Sequence, residues 1–88
     1  MMNQVERIRA METRMDRVRT ALEQGTLGAV EEDVDVLCAY YTGGQWKADY
    51  EADERDELPN HLKRGVLSQD GLYDLLEEWH TVKQEENV

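Results

Sequence analysis

"VERIRAMETRMDRVRTAL" runs from Val5 to Leu22. Its apolar residues Val5, Ile8, Met11, Met15, Val18 and Leu22 recur at steps of three and four, the repeat of one helical face. At about 100° per residue they cover about 140°, the width of a stripe that faces a core. The same steps fit an a/d seam, so Ile8, Met11, Met15, Val18 and Leu22 are also candidates for self-association. The partner of that seam is then either the second helix of the same chain or a second copy. Arg7, Arg14 and Arg17 are expected on the opposite side. Gly25 is the expected stop, and Thr26 the expected cap of the next helix.

Working outward, Leu27, Val30, Val34, Leu37, Cys38 and Tyr41 form a second stripe, closed by Gly43-Gly44. A third helix is expected from about Gln45 to Glu57, ending before Leu58-Pro59 because the residue before a proline avoids the helical region. Ser68 is expected to cap a fourth helix with Asp70 in its first turn and with Leu72, Leu75, Leu76, Trp79 and Val82 as its stripe. Residues 84–88 should fray. No alternating strand pattern and no repeat occurs. The expected fold is all-α: a small bundle of two longer antiparallel helices, a short acidic helix, a Pro-containing connector and a C-terminal helix, forming one domain over residues 1–88.

The 88 residues carry a formal charge of −10, unevenly spread. Residues 1–22 hold five arginines against Glu6, Glu12 and Asp16, whereas residues 23–58 hold eleven acids against Lys47 and Arg55. Phosphate contacts need Lys and Arg, so direct nucleic-acid binding and adhesion to anionic membranes are disfavoured. A protein partner with a basic surface is compatible. The single cysteine, Cys38, rules out an intrachain disulfide and a multi-cysteine zinc site, and it reads as a small buried hydrophobe. No run approaches the roughly 20 apolar residues of a membrane span. Glu6, Arg7 and Arg9 interrupt any leader-like run, so a cytoplasmic location is expected.

Between Asp49 and Glu57 lie Asp49, Glu51, Asp53, Glu54, Asp56 and Glu57. As a calcium loop the stretch fails, because the sixth position is Glu54 rather than glycine and the twelfth is Asn60 rather than Glu. No nucleophile or base accompanies the acids, so no catalytic residue and no cofactor are assigned. Asp49 and Asp53 share the side of Trp46 and Tyr50, and either would suit Arg64 across the proline as a structural anchor. Glu51, Glu54 and Asp56 spread over the other sides as a partner-binding face.

Several of these residues carry a likeness. Tyr40-Tyr41, Trp46, Asp49 to Glu54, Leu58-Pro59, Leu62 to Ser68 and Asp70 to Leu76 resemble the pattern of a small family of bacterial domains of unknown function, whose members are short, acidic and helical. The likeness covers about the last half of the chain, and the first half fits as generic helix. Gly71 departs from it, standing where a helix former is expected. The resemblance implies a helical fold. It implies no activity and supplies no residue with a known role.

Three functions are compatible with this reading. The first is a non-catalytic acidic module that binds a protein, in its sharper form a DNA mimic that occludes a basic nucleic-acid-binding groove as small phage-type inhibitors do. The second is a structural module that forms a homodimer through helix one. An enzyme ranks last.

Overall fold

The computed structural model describes residues 3–68 and 70–86. Helix α1 spans Gln4–Gln24, α2 Glu31–Thr42, α3 Gln45–Glu54 and α4 Gly71–Glu86, with 3-10 turns at Leu27–Val30 and Gly65–Leu67. No strand occurs among the described residues, as the helical periodicities require.

Asn3 caps α1, its side chain accepting from the backbone N–H of Glu6 at 2.9 Å. At the other end Gly25 takes φ 74°, and the N–H groups of Gly25 and Thr26 both return to the carbonyl of Ala21. Thr26 makes no side-chain cap, contrary to expectation. The next residues instead wind a 3-10 turn that places Leu27 and Val30 in the core. Gly43 and Gly44 end α2, Gly44 with φ 92°.

Helix α2 runs antiparallel to α1. Asp33 near its start meets Arg14 and Arg17, while Tyr40 near its end shares Asp49 with Arg7. Helix α4 is antiparallel to α2 in turn. Tyr73 lies near Tyr41 at one end, and Trp79 donates to the Leu27 carbonyl at the other. The core joins Ile8, Met15 and Val18 of α1 to Val34 and Leu37 of α2, Val66 and Leu67 of the second turn, and Leu72 and Trp79 of α4. Leu58 and Leu62 are buried too and pin the connector.

Four expectations need correction. The second longest helix is α4 with 16 residues, not α2 with 12. The buried face of α2 centres on Asp33, Val34, Leu37 and Tyr40, leaving Cys38 and Tyr41 half-buried. Helix α3 stops at Glu54, because Asp56 adopts φ 59° and the N–H groups of Asp56 and Glu57 turn back to Asp53 and Ala52. Asp70 precedes α4 and Ser68 closes the 3-10 turn, so neither plays its expected part. Helix α4 runs through Glu86, and Asn87 and Val88 lie outside the described residues.

Gly71 now has a reason. A Cβ there would stand 3.0 Å from the Ser68 Cβ, so a side chain would press the start of α4 against the preceding turn.

Candidate functional site

Helix α3 has two sides with opposite fates. Inward, Asp49 and Ala52 are buried. Outward, Glu51 and Glu54 are exposed, as are Asp56 and Glu57 beyond the helix end.

Asp49 is 0% exposed and accepts from three residues. Gln4 Nε2 donates at 2.9 Å to Oδ1, Arg7 Nε at 3.0 Å to Oδ2, and the Tyr40 hydroxyl at 2.6 Å to Oδ2. A second Arg7 nitrogen, Nη2, also donates to Oδ1. Burial alone would raise the Asp49 carboxyl, but the donors from Arg7, Tyr40 and Gln4 outweigh it and hold the pKa below the ordinary value. Tyr40 is shifted up, first by burial and then by its bond to Asp49, so it stays a phenol. Arg7 is raised by the same carboxylate.

Two further acids are buried. Glu12 accepts from the backbone N–H of Val66, whose carbonyl accepts from Trp46 Nε1 at 2.9 Å. Both polar groups of Val66 are thus held by side chains from α1 and α3. A Cβ on Gly65 would stand 3.1 Å from Glu12 Oε1, so the glycine makes room for the carboxylate. Asp33 accepts from Arg14 Nη1 at 2.9 Å and Arg17 Nη1 at 3.2 Å.

The geometry separates the two acids offered to Arg64. Arg64 Nε lies 3.3 Å from Asp53 Oδ1, and its Nη2 donates to the Pro59 carbonyl at 2.8 Å. Asp49 is not its partner, because Arg7, Gln4 and Tyr40 occupy that carboxylate. Arg7 is therefore not on the far side of α1 but at the edge of the buried stripe. The residues offered for self-association are largely spent on the fold: Ile8, Met15 and Val18 are buried within the chain, and Met11 and Leu22 are partly buried against the core.

Chemically, the interior cluster is closed. Its carboxylate is covered, and its donors come from the chain itself. Cys38 is raised by burial, then by the charge of Asp35, which keeps it a thiol. His80 Nδ1 lies 2.7 Å from the Leu76 carbonyl, so that nitrogen carries the proton. Among the described residues no group of three or more His, Cys, Asp or Glu is placed to hold a metal ion. No helix among them is long and apolar enough to cross a membrane.

A family model matches residues 3–86. The chain belongs to DUF4298, a domain of unknown function. The match to DUF4298 takes in α1 as well as the acidic and C-terminal segments. Searches of curated proteins and of solved structures find no match.

Sequence reasoning missed Glu12, Gln4 and Arg7 as parts of the interior. Glu12 stands one turn after Ile8, and Gln4 one turn before it, so both fall on the apolar stripe itself. A charged residue on such a stripe is a signal that a distant partner awaits it.

Proposed function

We propose that this chain is a non-catalytic module that binds a protein partner through its acidic surface, the partner contributing a basic one. The observation that carries this is the division of the acids on and after α3. Asp49 and Asp53 are engaged by arginines of the fold. Glu51, Glu54, Asp56 and Glu57 point to solvent, with Arg55 among them, 3.9 Å from Glu51 and 3.1 Å from Glu57, and Lys47 beside Glu51. Exposed pairs of that kind contribute little to stability, so the fold does not explain the excess. In the sharper form of the proposal the partner's basic surface is one that otherwise holds nucleic acid, and the acids stand in for phosphates. A self-assembling module through helix one has less support, since its seam is occupied within the chain.

The test is capture of partners by the tagged chain and by a Glu51→Lys, Glu54→Lys, Asp56→Asn variant. Asn is used at residue 56 because it tolerates the left-handed backbone. A specific partner should be lost from the variant and released as salt rises, the Debye length falling from about 10 Å at 0.1 M to about 3 Å at 1 M. Partners retained equally by a folded variant would overturn the proposal.

A further inference from the structure

Beside the acidic face lies a row of aromatic rings at the margin of the core, half-buried except for Tyr73. Tyr41 and Trp46 have ring centroids 4.9 Å apart and are tilted by 54°. Trp46 and Tyr50 stack at 5.1 Å and 18°. Tyr73 lies 6.3 Å from Tyr41 on the other side and is 52% exposed, the one large hydrophobic residue so exposed among those described. The row thus runs Tyr73, Tyr41, Trp46, Tyr50 across α4, α2 and α3. Two open hollows flank it. One of about 330 Å³ lies between Cys38, Tyr41, Tyr73, Leu76 and Glu77, and one of about 420 Å³ between Tyr41, Trp46, Lys47, Tyr50 and Glu51.

Acids stand at both ends of the row. Glu77 stands one turn after Tyr73 on α4 and Glu54 one turn after Tyr50 on α3, and these acids raise the two phenols. Glu51 lines the second hollow, where Lys47 is the lone cation. Partly exposed aromatic rings beside carboxylates match one side chain better than any other. A guanidinium stacks flat on a ring while its edge donates to a carboxylate. A purely apolar segment would desolvate Glu51 and Glu77 with nothing in return. A single-stranded nucleic acid could stack its bases, but the same acids would repel its phosphates.

We propose that the row Tyr73–Tyr41–Trp46–Tyr50 is a docking groove for an arginine-bearing segment of a protein partner. It rests on the acidic-surface reading and gives that surface a specific contact: rings take the guanidinium planes, and Glu51, Glu54 and Glu77 take their donors.

The test uses fluorescein-labelled peptides of four Gly-Arg repeats and measures their anisotropy against the whole chain. A citrulline counterpart keeps the shape and removes the charge. Tyr50→Ser and Tyr73→Ser together should weaken the arginine peptide about fivefold or more, each lost cation–π contact being worth a few-fold. Glu54→Gln with Glu77→Gln should weaken it comparably. Glu6→Gln with Glu23→Gln, on exposed sites of α1, should leave it unchanged, and thermal melts should confirm that every variant is folded. Equal binding of the citrulline peptide would overturn the groove. So would tighter binding of an oligothymidine, or a dimer of the chain that the tyrosine variant dissolves. If the tyrosine variant binds normally while Glu51→Lys with Glu54→Lys does not, the groove falls and the acidic-surface reading stands. If neither variant loses binding, both fall.

Discussion

Removing Arg7 tests the interior directly. Its guanidinium supplies two nitrogens to Asp49, which has no contact with water. Charge-assisted hydrogen bonds contribute about 1.5–3 kcal/mol each, and breaking a buried pair costs about 3–5 kcal/mol. The Arg7 side chain is itself 21% exposed, so water can reach part of the space it vacates. The low end therefore applies, about 3 kcal/mol for Arg7→Ala. A chain of this length has about 4–13 kcal/mol in all, so the loss is a large share and lowers Tm by about 12–24 °C. Urea and thermal unfolding followed by circular dichroism read it out, with the exposed Arg9→Ala as a control expected within about 0.5 kcal/mol of the parent. Arg7→Met, Asp49→Leu and Tyr40→Phe together remove every charge of the cluster and leave only the half-buried Gln4 amide to turn to water, so stability should recover to within about 1 kcal/mol of the parent. The pH profile supplies a second check. The Asp49 pKa is lowered in the folded state, so its stabilisation is present above the unfolded carboxyl value of about 4 and is lost as pH falls through the folded value. Asp49→Leu in that triple variant should flatten this acid limb. A cost below about 1 kcal/mol for Arg7→Ala, or no recovery in the triple variant, would refute the reasoning.

Arg64→Ala should cost about 1–3 kcal/mol, since it removes donors from the Pro59 and Leu58 carbonyls and a charge beside Asp53. Arg55→Ala should cost under about 1 kcal/mol because its pairs with Glu51 and Glu57 are exposed; equal losses in parallel urea titrations would count against the anchor. Asp56→Gly should stabilise by up to about 1 kcal/mol in the same assay, as glycine meets φ 59° without a Cβ penalty.

The apolar periodicities of α1, α2 and α4 made the helices legible, as did Gly25 and the Gly43-Gly44 pair at their ends. What stayed hidden was of another kind. A stripe says which way a residue faces, but it does not say which distant group meets a polar residue there. Glu12 occupies the stripe of α1 because the Val66 N–H, 54 positions on, needs an acceptor. Tyr40 displaces Tyr41 from the buried face because its hydroxyl has Asp49 to reach. The end of α3 was misplaced for a local reason. Proline at residue 59 marks the last place the helix could stop, whereas Asp56 stops it earlier by entering the left-handed region, which aspartate tolerates better than most side chains.

The charge asymmetry between the first helix and the rest was visible from the start, and the structure gives it a physical role. Helix α1 carries the arginines, and Arg7, Arg14 and Arg17 bind Asp49 and Asp33, acids from α3 and α2. Lys63 extends the scheme by meeting Asp16 of α1 at 3.4 Å, and Arg64 by meeting Asp53. The basic helix is joined to the acidic segment by the sheltered pairs Arg7–Asp49 and Arg14–Asp33, where solvent screens weakly, whereas Lys63–Asp16 is exposed. Once those acids are taken, Glu51, Glu54, Asp56 and Glu57 remain as one run of neighbouring acids in solvent. Repulsion among such neighbours works against the compact state. Among the described residues Arg55 and Lys47 offset it only in part, and ions in solution or a cationic surface brought alongside would relieve the rest. The aromatic row from Tyr73 to Tyr50 borders this charge, and it gives a cationic protein side chain something that a dissolved cation lacks the shape to use.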